Sequence, residues 1–134
     1  MALDHVFILC AGYGTRMGEI GKILPKLLWP VFEIKMLELQ VLYARSLGAK
    51  KIYLNSHFLH EQIVEFVNEK KWSDVTLVHE PELLDVGGGI CNVASFPELE
   101  NVEKLLILNG DQFYLFDQNF LEKSIQEMGE AHAL

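Results

Sequence analysis

Apolar residues in this chain follow two patterns that alternate along the sequence. Short, continuous runs of strand-forming apolar residues predict buried strands, whereas apolar residues at helical spacing predict amphipathic helices. The first pattern occupies residues 4–10. The second occupies residues 36–47, where Gly48 is a suitable C-terminal stop. The chain therefore begins with a predicted strand that leads, after a gap, into a predicted helix.

The same criteria extend this alternation over the rest of the chain. Further strands are predicted at residues 50–55, 74–79 and 104–108, and further helices at 59–67, 91–94 and 120–128. Residues 11–34 show neither pattern and are predicted to form a long irregular loop, which in a compact domain is usually functional. Because strands that alternate with helices are typical of parallel βαβ units, we predict an α/β fold. Its expected form is a Rossmann-like, doubly wound, mainly parallel sheet in an α/β/α sandwich.

Length, composition and charge narrow the class of protein. The 134 residues suit one domain that spans 1–134, and 50% of them are apolar, which is enough for a real core. The formal net charge of -8 argues against general binding to nucleic acid or to an anionic membrane, and no apolar run reaches membrane-spanning length. Cys10 and Cys91 do not suggest a disulfide framework, and Asp4 without a basic region does not suggest a signal peptide. We therefore expect a cytoplasmic protein that binds neither nucleic acid nor membranes.

Polar and glycine-rich residues cluster where the predicted strands end. They occupy residues 11–16, 55–58, 80–89 and 109–111. In a doubly wound sheet, ligands bind at the carboxyl ends of the strands, which meet at one edge. We therefore predict the active site at this edge of the sheet.

The segment after the first predicted strand has the composition of a phosphate site. Ala11, Gly12 and Gly14 are small, Arg16 follows them, and Lys26 comes ten positions after the arginine. Small residues let backbone N–H groups approach an anion closely, and the two cations neutralise its charge. The segment therefore predicts a binding site for phosphate groups.

Three kinds of phosphate-binding loop are candidates for this segment. A Walker A loop requires two glycines five positions apart followed by Lys and Ser or Thr, and no such string occurs here. A dinucleotide-binding fingerprint requires a third glycine where this chain has Met17, and Gly18 comes one position late. The third kind is the nucleotidyltransferase loop, small-Gly-x-Gly-Thr-Arg-Met/Leu followed by Pro-Lys and Pro-Val, and it fits without insertion.

In three places the sequence resembles the sugar 1-phosphate nucleotidyltransferases, or NTP transferases. The matching strings are Ala11-Gly12-Tyr13-Gly14-Thr15-Arg16-Met17 with Pro25-Lys26 and Pro30-Val31, then Asp85-Val86-Gly87-Gly88-Gly89-Ile90, then Asn109-Gly110-Asp111. The resemblance extends over nearly the whole chain. The string LLDVGGGI and the segment 55–62 are most similar to bacterial uridylyl- or guanylyltransferases that act on N-acetylmuramate, heptose or mannose 1-phosphates.

The resemblance implies a reaction and a set of site residues. A sugar 1-phosphate would attack the α-phosphorus of an NTP in line, with Mg²⁺ as cofactor, giving pyrophosphate and an NDP-sugar for cell-envelope polysaccharide. Catalytic roles are implied for Arg16, Lys26 and Asp111, and Asp111 is also the implied metal ligand. Nucleotide binding is implied for Ala11, Gly12, Tyr13, Gly14, Thr15, Glu80, Gly87 and Gly88, and sugar binding for Asn109. UTP, GTP and dTTP are all candidate nucleotides.

Other interpretations and expectations remain open at this point. The rival function is a nucleotide-sensing or regulatory domain of the same fold without catalysis, while Met17 disfavours a NAD-binding module. The family continues well beyond this length, so we expect a core truncated after its fourth strand and helix, with 130–134 approaching a fifth strand. An open sheet edge would then favour homo-oligomers. His57 and His60 could share a helix face, but no third ligand completes a zinc set.

Overall fold

The computed structural model describes residues 3–128, and the elements named here lie within that range. They are β1 (His5–Leu9), α1 (Gly18–Ile23), β2 (Pro30–Val31), β3 (Ile34–Lys35), α2 (Met36–Ser46), β4 (Lys51–Ser56), α3 (His60–Lys70), β5 (Val75–His79), α4 (Asp85–Ala94), β6 (Leu106–Asn109) and α5 (Gln118–Met128). Short 3-10 turns lie at Thr15–Met17, Lys26–Leu28 and Pro97–Leu99. None of the described helices is both long enough and apolar enough to cross a bilayer. The fifth strand suggested near residues 130–134 lies outside the described residues.

Four of the strands form one parallel sheet in the order β5-β4-β1-β6. In the registered pairs, Ile8 of β1 lies opposite Leu54 of β4 on one side and Leu108 of β6 on the other. Each of the four predicted strands is confirmed to within two residues at either end. Strand β1 therefore lies inside the sheet, while β5 and β6 form its edges; self-association through an edge stays a prediction.

Helices cover both faces of the sheet. On one face, Val41 of α2 and Ile63 of α3 belong to the same buried cluster as Ile8. On the other face, Val93 of α4 shares a cluster with Phe7. Successive residues of β1 thus bury opposite faces, which is why this strand has a continuous apolar run rather than an alternating one. The doubly wound α/β/α sandwich predicted from the sequence is confirmed.

The segment 11–34 is not irregular, and that prediction is wrong. It contains α1, two 3-10 turns and the antiparallel hairpin of β2 and β3. Helix α1 has six residues, too few to show a helical apolar period in the sequence. It packs closely on the loop before it, because a Cβ at Gly21 would lie 2.6 Å from the carbonyl oxygen of Gly14. The glycine at position 21 is therefore required by this approach of two backbones.

Helix α4 begins at Asp85 rather than near residue 91, so the predicted start of this helix is also wrong. Glycine has a low intrinsic helix propensity, so the helix was predicted to begin after the glycine run. In the structure the run lies inside the helix. A Cβ at Gly89 would lie 3.1 Å from Asn55 Nδ2 and 3.1 Å from Glu80 Oε1. Close packing on the sheet therefore overrides local propensity at this position.

A charged pair joins α2 to the segment that precedes β5. Arg45 donates to both carboxylate oxygens of Asp74, from Nε at 2.8 Å and from Nη2 at 2.7 Å. Its guanidinium also lies 5.4 Å from the centre of the Trp72 ring. The hydrogen bonds from Arg45 hold the pKa of Asp74 below its ordinary value of 3.8. The pair fixes the position of α2 relative to the start of β5.

Candidate functional site

The loop after β1 is held at its start by a side chain from the neighbouring strand. The backbone N–H groups of Cys10 and Ala11 both donate to Asn55 Oδ1, at 2.7 and 3.1 Å. Gly14 has the left-handed conformation, with φ of 59°, and its carbonyl accepts from Met17 N at 2.9 Å. Within residues 3–128, the backbone N–H groups from Gly12 to Gly14 donate no hydrogen bond. The loop thus offers unpaired donors of the kind that bind anions.

Asn55 is oriented by Glu80, and both side chains are buried. Asn55 Nδ2 donates to Glu80 Oε1 at 2.9 Å, and Leu84 N donates to Glu80 Oε2 at 3.2 Å. A carboxylate can only accept, so this contact fixes which end of the amide faces the loop. The role of Asn55 was not predicted from the sequence. The available signal was a polar residue inside the apolar run of β4, where burial requires a partner.

Lys26 and Asp111 lie together although 85 positions separate them in the sequence. Lys26 Nζ lies 2.6 Å from Asp111 Oδ2, and both side chains are about two-fifths exposed. Lys26 begins the 3-10 turn after Pro25, while Asp111 follows β6, which pairs directly with β1. Gly110 makes this approach feasible, because a Cβ there would lie 2.7 Å from the carbonyl oxygen of Leu9. The structure therefore brings together two of the three predicted catalytic side chains.

Arg16, the third predicted catalytic residue, is exposed on the 3-10 turn Thr15–Met17. In the described part of the chain, no ion pair joins it to Asp111 or to any other carboxylate. Thr15 is exposed on the same turn. Within residues 3–128 no hydrogen bond or ion pair engages the side chain of the arginine or the threonine, which leaves their polar groups available to a ligand.

The first turn of α4 has an exposed backbone and a strained start. Asp85 has φ of 57°, a left-handed conformation that is uncommon for a residue other than glycine. Gly87 is exposed, and a Cβ there would meet nothing within 4 Å, whereas a Cβ at Gly88 would lie 2.9 Å from Leu84 Cβ. Of the two glycines of α4 that were predicted to bind nucleotide, Gly87 is therefore the one for which the described residues show no contact that requires a glycine.

Tyr13 and His57 join the glycine loop to the end of β4. Tyr13 Oη lies 2.9 Å from His57 Nε2, and His57 Nδ1 lies 2.7 Å from the carbonyl oxygen of Glu80. The Tyr13 ring also packs on Phe58, with 5.7 Å between the ring centres. The residue predicted to bind nucleotide at position 13 is thus held by side chains that follow β4.

The other histidine near this edge has a different environment from His57. His60, in α3, stacks on His79 with 3.9 Å between ring centres, and its Nδ1 lies 2.6 Å from Ser56 Oγ. Burial, and then the neighbouring His79, lower the pKa of His60 below its ordinary value of 6.5. His57 precedes α3, so the two histidines do not share a helix face.

Cys10 and Asn109 lie at the ends of β1 and β6. Burial raises the pKa of the Cys10 thiol far above its ordinary range, so this cysteine is not a thiolate nucleophile at neutral pH. Asn109 is exposed, and its Nδ2 donates to Gln112 Oε1 at 3.2 Å. Its backbone N donates to the Tyr114 hydroxyl at 2.6 Å. Asn109 is therefore positioned at the same sheet edge as the glycine loop.

A central parallel strand that runs into a glycine loop, with a lysine–aspartate pair at the same edge, defines a Rossmann-like domain of the nucleotidyltransferase type. The sequence agrees with this class, because residues 6–133 match the profile of the MobA-like NTP transferase domain. The chain belongs to that family.

Two relatives and one solved structure give the extent of the likeness. The chain is 33% identical over 119 residues to the D-glycero-alpha-D-manno-heptose 1-phosphate guanylyltransferase of Campylobacter jejuni, a match that covers 88% of this chain and 52% of the relative. It is 30% identical over 107 residues to the bifunctional protein GlmU of Methanococcus maripaludis, covering 80% of this chain and 24% of GlmU. The crystal structure of HddC from Yersinia pseudotuberculosis complexed with GMP-PN has a TM-score of 0.79 at 24% identity, covering 95% of this chain and 55% of HddC. The chain thus spans about half the length of the heptose 1-phosphate guanylyltransferase and of HddC.

The donor set limits how Mg²⁺ would be held. In the described residues, no group of three or more His, Cys, Asp or Glu side chains lies together as a metal site. Mg²⁺ at nucleotide sites is usually held by one or two carboxylates, with phosphates and waters completing its shell. The partly exposed carboxylate of Asp111 fits a Mg²⁺ site of this kind, in which one or two carboxylates act together with phosphates and waters.

Proposed function

We propose that residues 1–134 form the nucleotide-binding core of a nucleotidyltransferase that joins an NTP to a sugar 1-phosphate. The products would be an NDP-sugar and pyrophosphate. The observation that supports this most is the meeting of the Lys26–Asp111 pair with the glycine loop at one edge of the sheet. Cations and unpaired N–H donors at one place suit a triphosphate, whose charge must be neutralised as it reacts.

The catalytic work would be positioning and charge neutralisation, without a covalent enzyme intermediate. The backbone of residues 11–15 would bind the triphosphate, and Arg16 would neutralise the leaving pyrophosphate. Lys26 would hold the attacking phosphate in line with the α-phosphorus. The sugar itself would lie near Asn109.

Asp111 would also bind Mg²⁺, which would add two positive charges near the phosphates to those of Arg16 and Lys26. Its Oδ2 atom accepts from Lys26, and its Oδ1 atom would be the one available to the metal. Gly87 and Gly88 would lie against the base and ribose through their backbone. Since both carboxylate oxygens of Glu80 accept bonds from the protein, Glu80 would support this pocket through Asn55 and Leu84.

The relatives suggest which substrates to test first. The Campylobacter relative is named a heptose 1-phosphate guanylyltransferase, and the Yersinia structure was solved with GMP-PN. We therefore propose GTP ahead of UTP and dTTP as the nucleotide, and a heptose or related sugar 1-phosphate as the acceptor, for cell-envelope polysaccharide.

Pyrophosphate release with Mg²⁺, each of the three nucleotides and candidate sugar 1-phosphates tests the proposal. We expect release with one pair of substrates, and its loss without a change of fold in Arg16→Ala and in Asp111→Asn. Lys123→Ala, an exposed change on α5, is the control and should release pyrophosphate at the normal rate. Near-normal rates in Arg16→Ala or Asp111→Asn would remove that residue from the mechanism.

The second candidate is a nucleotide-binding regulatory domain of the same fold. It requires only that the glycine loop bind a nucleotide, and not that Lys26 and Asp111 act on it. A thermal-shift panel of NTPs with Mg²⁺ separates the two functions when it is run beside the release assay. Stabilisation by one nucleotide without any release favours the regulatory domain, whereas no stabilisation by any nucleotide argues against both.

A further inference from the structure

We infer that His57 is a positioning residue for the nucleotide loop, which it holds through the hydroxyl of Tyr13 and joins to the backbone of Glu80. The consequence for binding rests on the function proposed above, whereas the contacts do not. His57 lies just after β4 and outside the glycine loop, so its role does not follow from the loop's own sequence.

The two hydrogen bonds of the His57 ring determine its tautomer. Nδ1 lies 2.7 Å from the carbonyl oxygen of Glu80, which can only accept, so Nδ1 carries the proton. In the neutral ring Nε2 then has the lone pair. The hydroxyl of Tyr13, 2.9 Å away, therefore donates to Nε2. The ring relays a hydrogen-bond chain from the loop to the backbone that follows β5.

The position of Tyr13 gives this chain an effect on the site. Tyr13 lies between Gly12 and Gly14, whose N–H groups have no partner in the described part of the chain. Glycines on both sides leave the loop backbone with wide freedom. The Tyr13 ring meets His57 edge-on at 5.2 Å and packs on Phe58, so the side chain anchors the apex of the loop.

A second anchor converges on the same residue. The start of the loop is held by Asn55, whose amide donates to the carboxylate of Glu80, while the apex is held by His57, whose ring donates to the carbonyl of Glu80. Glu80 Oε2 also accepts from Leu84 N, next to the start of α4. Glu80 thus links both loop anchors to the helix that carries the exposed Gly87. The linkage would hold the phosphate-binding donors at a fixed distance from this helix.

Three substitutions separate the two bonds of the His57 ring. Tyr13→Phe removes only the hydroxyl. His57→Asn places an amide N–H at the δ position and keeps the bond to Glu80, but it does not reach Tyr13. His57→Gln places an acceptor at the ε position and keeps the bond to Tyr13. If the bond to Tyr13 matters for the loop, the first two variants should behave alike and His57→Gln should be closer to the unmodified protein.

The binding measurement uses titration calorimetry of the full chain with inorganic tripolyphosphate and MgCl₂, a probe that does not depend on the base. We expect Tyr13→Phe and His57→Asn each to weaken binding about fivefold, and the double variant to be no weaker than either single one. His57→Gln should recover most of the affinity. Equal affinities in all variants, or fully additive losses, would overturn the role in binding, as would a loss in His57→Gln equal to that in His57→Asn.

The contacts themselves are tested without any ligand by histidine ring ¹H–¹⁵N correlation spectra. We expect His57 as the Nδ1–H tautomer, with an Nε2 signal that moves in Tyr13→Phe while the signals of His60 and His79 stay in place. An Nε2–H tautomer of His57 would refute the hydrogen-bond chain. If the protein binds neither tripolyphosphate nor any NTP, the proposed function fails together with the role in binding, and the spectra still decide whether the chain of bonds exists.

Discussion

Three successive glycines lie near the start of α4. Replacing the first or the third of them by alanine should change the free energy of unfolding in opposite directions. Gly87→Ala and Gly89→Ala make the same chemical change two residues apart in one helix. At Gly87 a Cβ would meet nothing within 4 Å, whereas at Gly89 it would lie 3.1 Å from Asn55 Nδ2 and from Glu80 Oε1. We expect the first variant to be more stable than the unmodified protein and the second to be less stable.

The magnitudes follow from helix propensity and packing. Alanine is favoured over glycine inside a helix by about 1 kcal/mol, and by less in its first turn, so Gly87→Ala should raise the free energy of unfolding by about 0.5–1 kcal/mol. In a domain of this size that raises Tm by roughly 2–5 °C. Gly89 lies beyond the first turn, so Gly89→Ala gains about 1 kcal/mol from helix propensity, but it displaces a buried hydrogen bond of 2.9 Å between Asn55 and Glu80. Overpacking and the weakened bond together cost about 2–3 kcal/mol, which leaves a net loss of about 1–2 kcal/mol.

Urea unfolding measures the free energy of unfolding of both variants, and nucleotide titration measures their affinity for Mg²⁺–NTP. If the backbone at Gly87 touches the nucleotide, Gly87→Ala should weaken Mg²⁺–NTP binding by about tenfold or more while it stabilises the fold. Gly89→Ala should weaken binding only through the loop anchors. The reasoning is refuted if Gly89→Ala stabilises the protein as much as Gly87→Ala does. Normal nucleotide affinity in Gly87→Ala would show that this glycine does not belong to the site.

Three further predictions concern charged and titratable side chains. Asp111→Asn removes the exposed ion pair with Lys26, so turnover should be lost while urea unfolding shows a change below about 1 kcal/mol; a larger change would mean that the pair is structural. Because Arg45 lowers the pKa of Asp74, the stability from this pair is present above pH 3.8 and lost as the pH falls below it, and acid unfolding of Asp74→Asn should show a shallower decline there. The pKa of His60 is also lowered, so the unfolded chain takes up this proton first and stability falls as the pH drops through 6.5. In His60→Asn, which keeps a polar atom near the δ position, the Tm should depend less on pH between 7 and 5; an unchanged slope would assign that dependence to other groups.

The strands were predictable because a strand that is buried on both faces has a continuous run of apolar residues, which can be recognised in the local sequence. Residues 4–10 form a continuous apolar run, and β1 is covered on both faces by helices. Placing the strands also placed their carboxyl ends, and the parallel pairing of β1 with β6 then brought Lys26 to Asp111. The shared edge of β1 and β6 follows from the strand–helix alternation, whereas the position of Lys26 also depends on the turn after Pro25, which the apolar pattern did not predict.

The two wrong predictions have a common physical cause. The first turns of α4 and the whole of α1 contain glycines, whose helix propensity is low, and α1 is also too short to show a helical apolar period, so both segments were predicted as loops. In both helices a glycine lies close to another part of the chain: a Cβ at Gly21 would lie 2.6 Å from the carbonyl oxygen of Gly14, and a Cβ at Gly89 would lie 3.1 Å from Asn55 Nδ2. The contact of Gly89 with Asn55 exists only after the sheet has formed, and the contact of Gly21 with Gly14 exists only once the chain between them has folded back. Helix propensity takes account of neither contact.

The two side chains that hold the glycine loop, Asn55 and His57, were not predicted for a related reason: their contacts with the loop are long-range. The small residues of the glycine loop leave its backbone accessible, but they make few side-chain contacts that could fix its conformation. Its shape is instead set from outside by Asn55 and His57, and both of these are joined to Glu80. These three residues follow or end the two strands that lie beyond β1 in the sheet order. The geometry of the glycine loop is therefore a property of three adjacent strand ends, and a variant that shifts β4 or β5 should disturb it as much as a change in the loop itself.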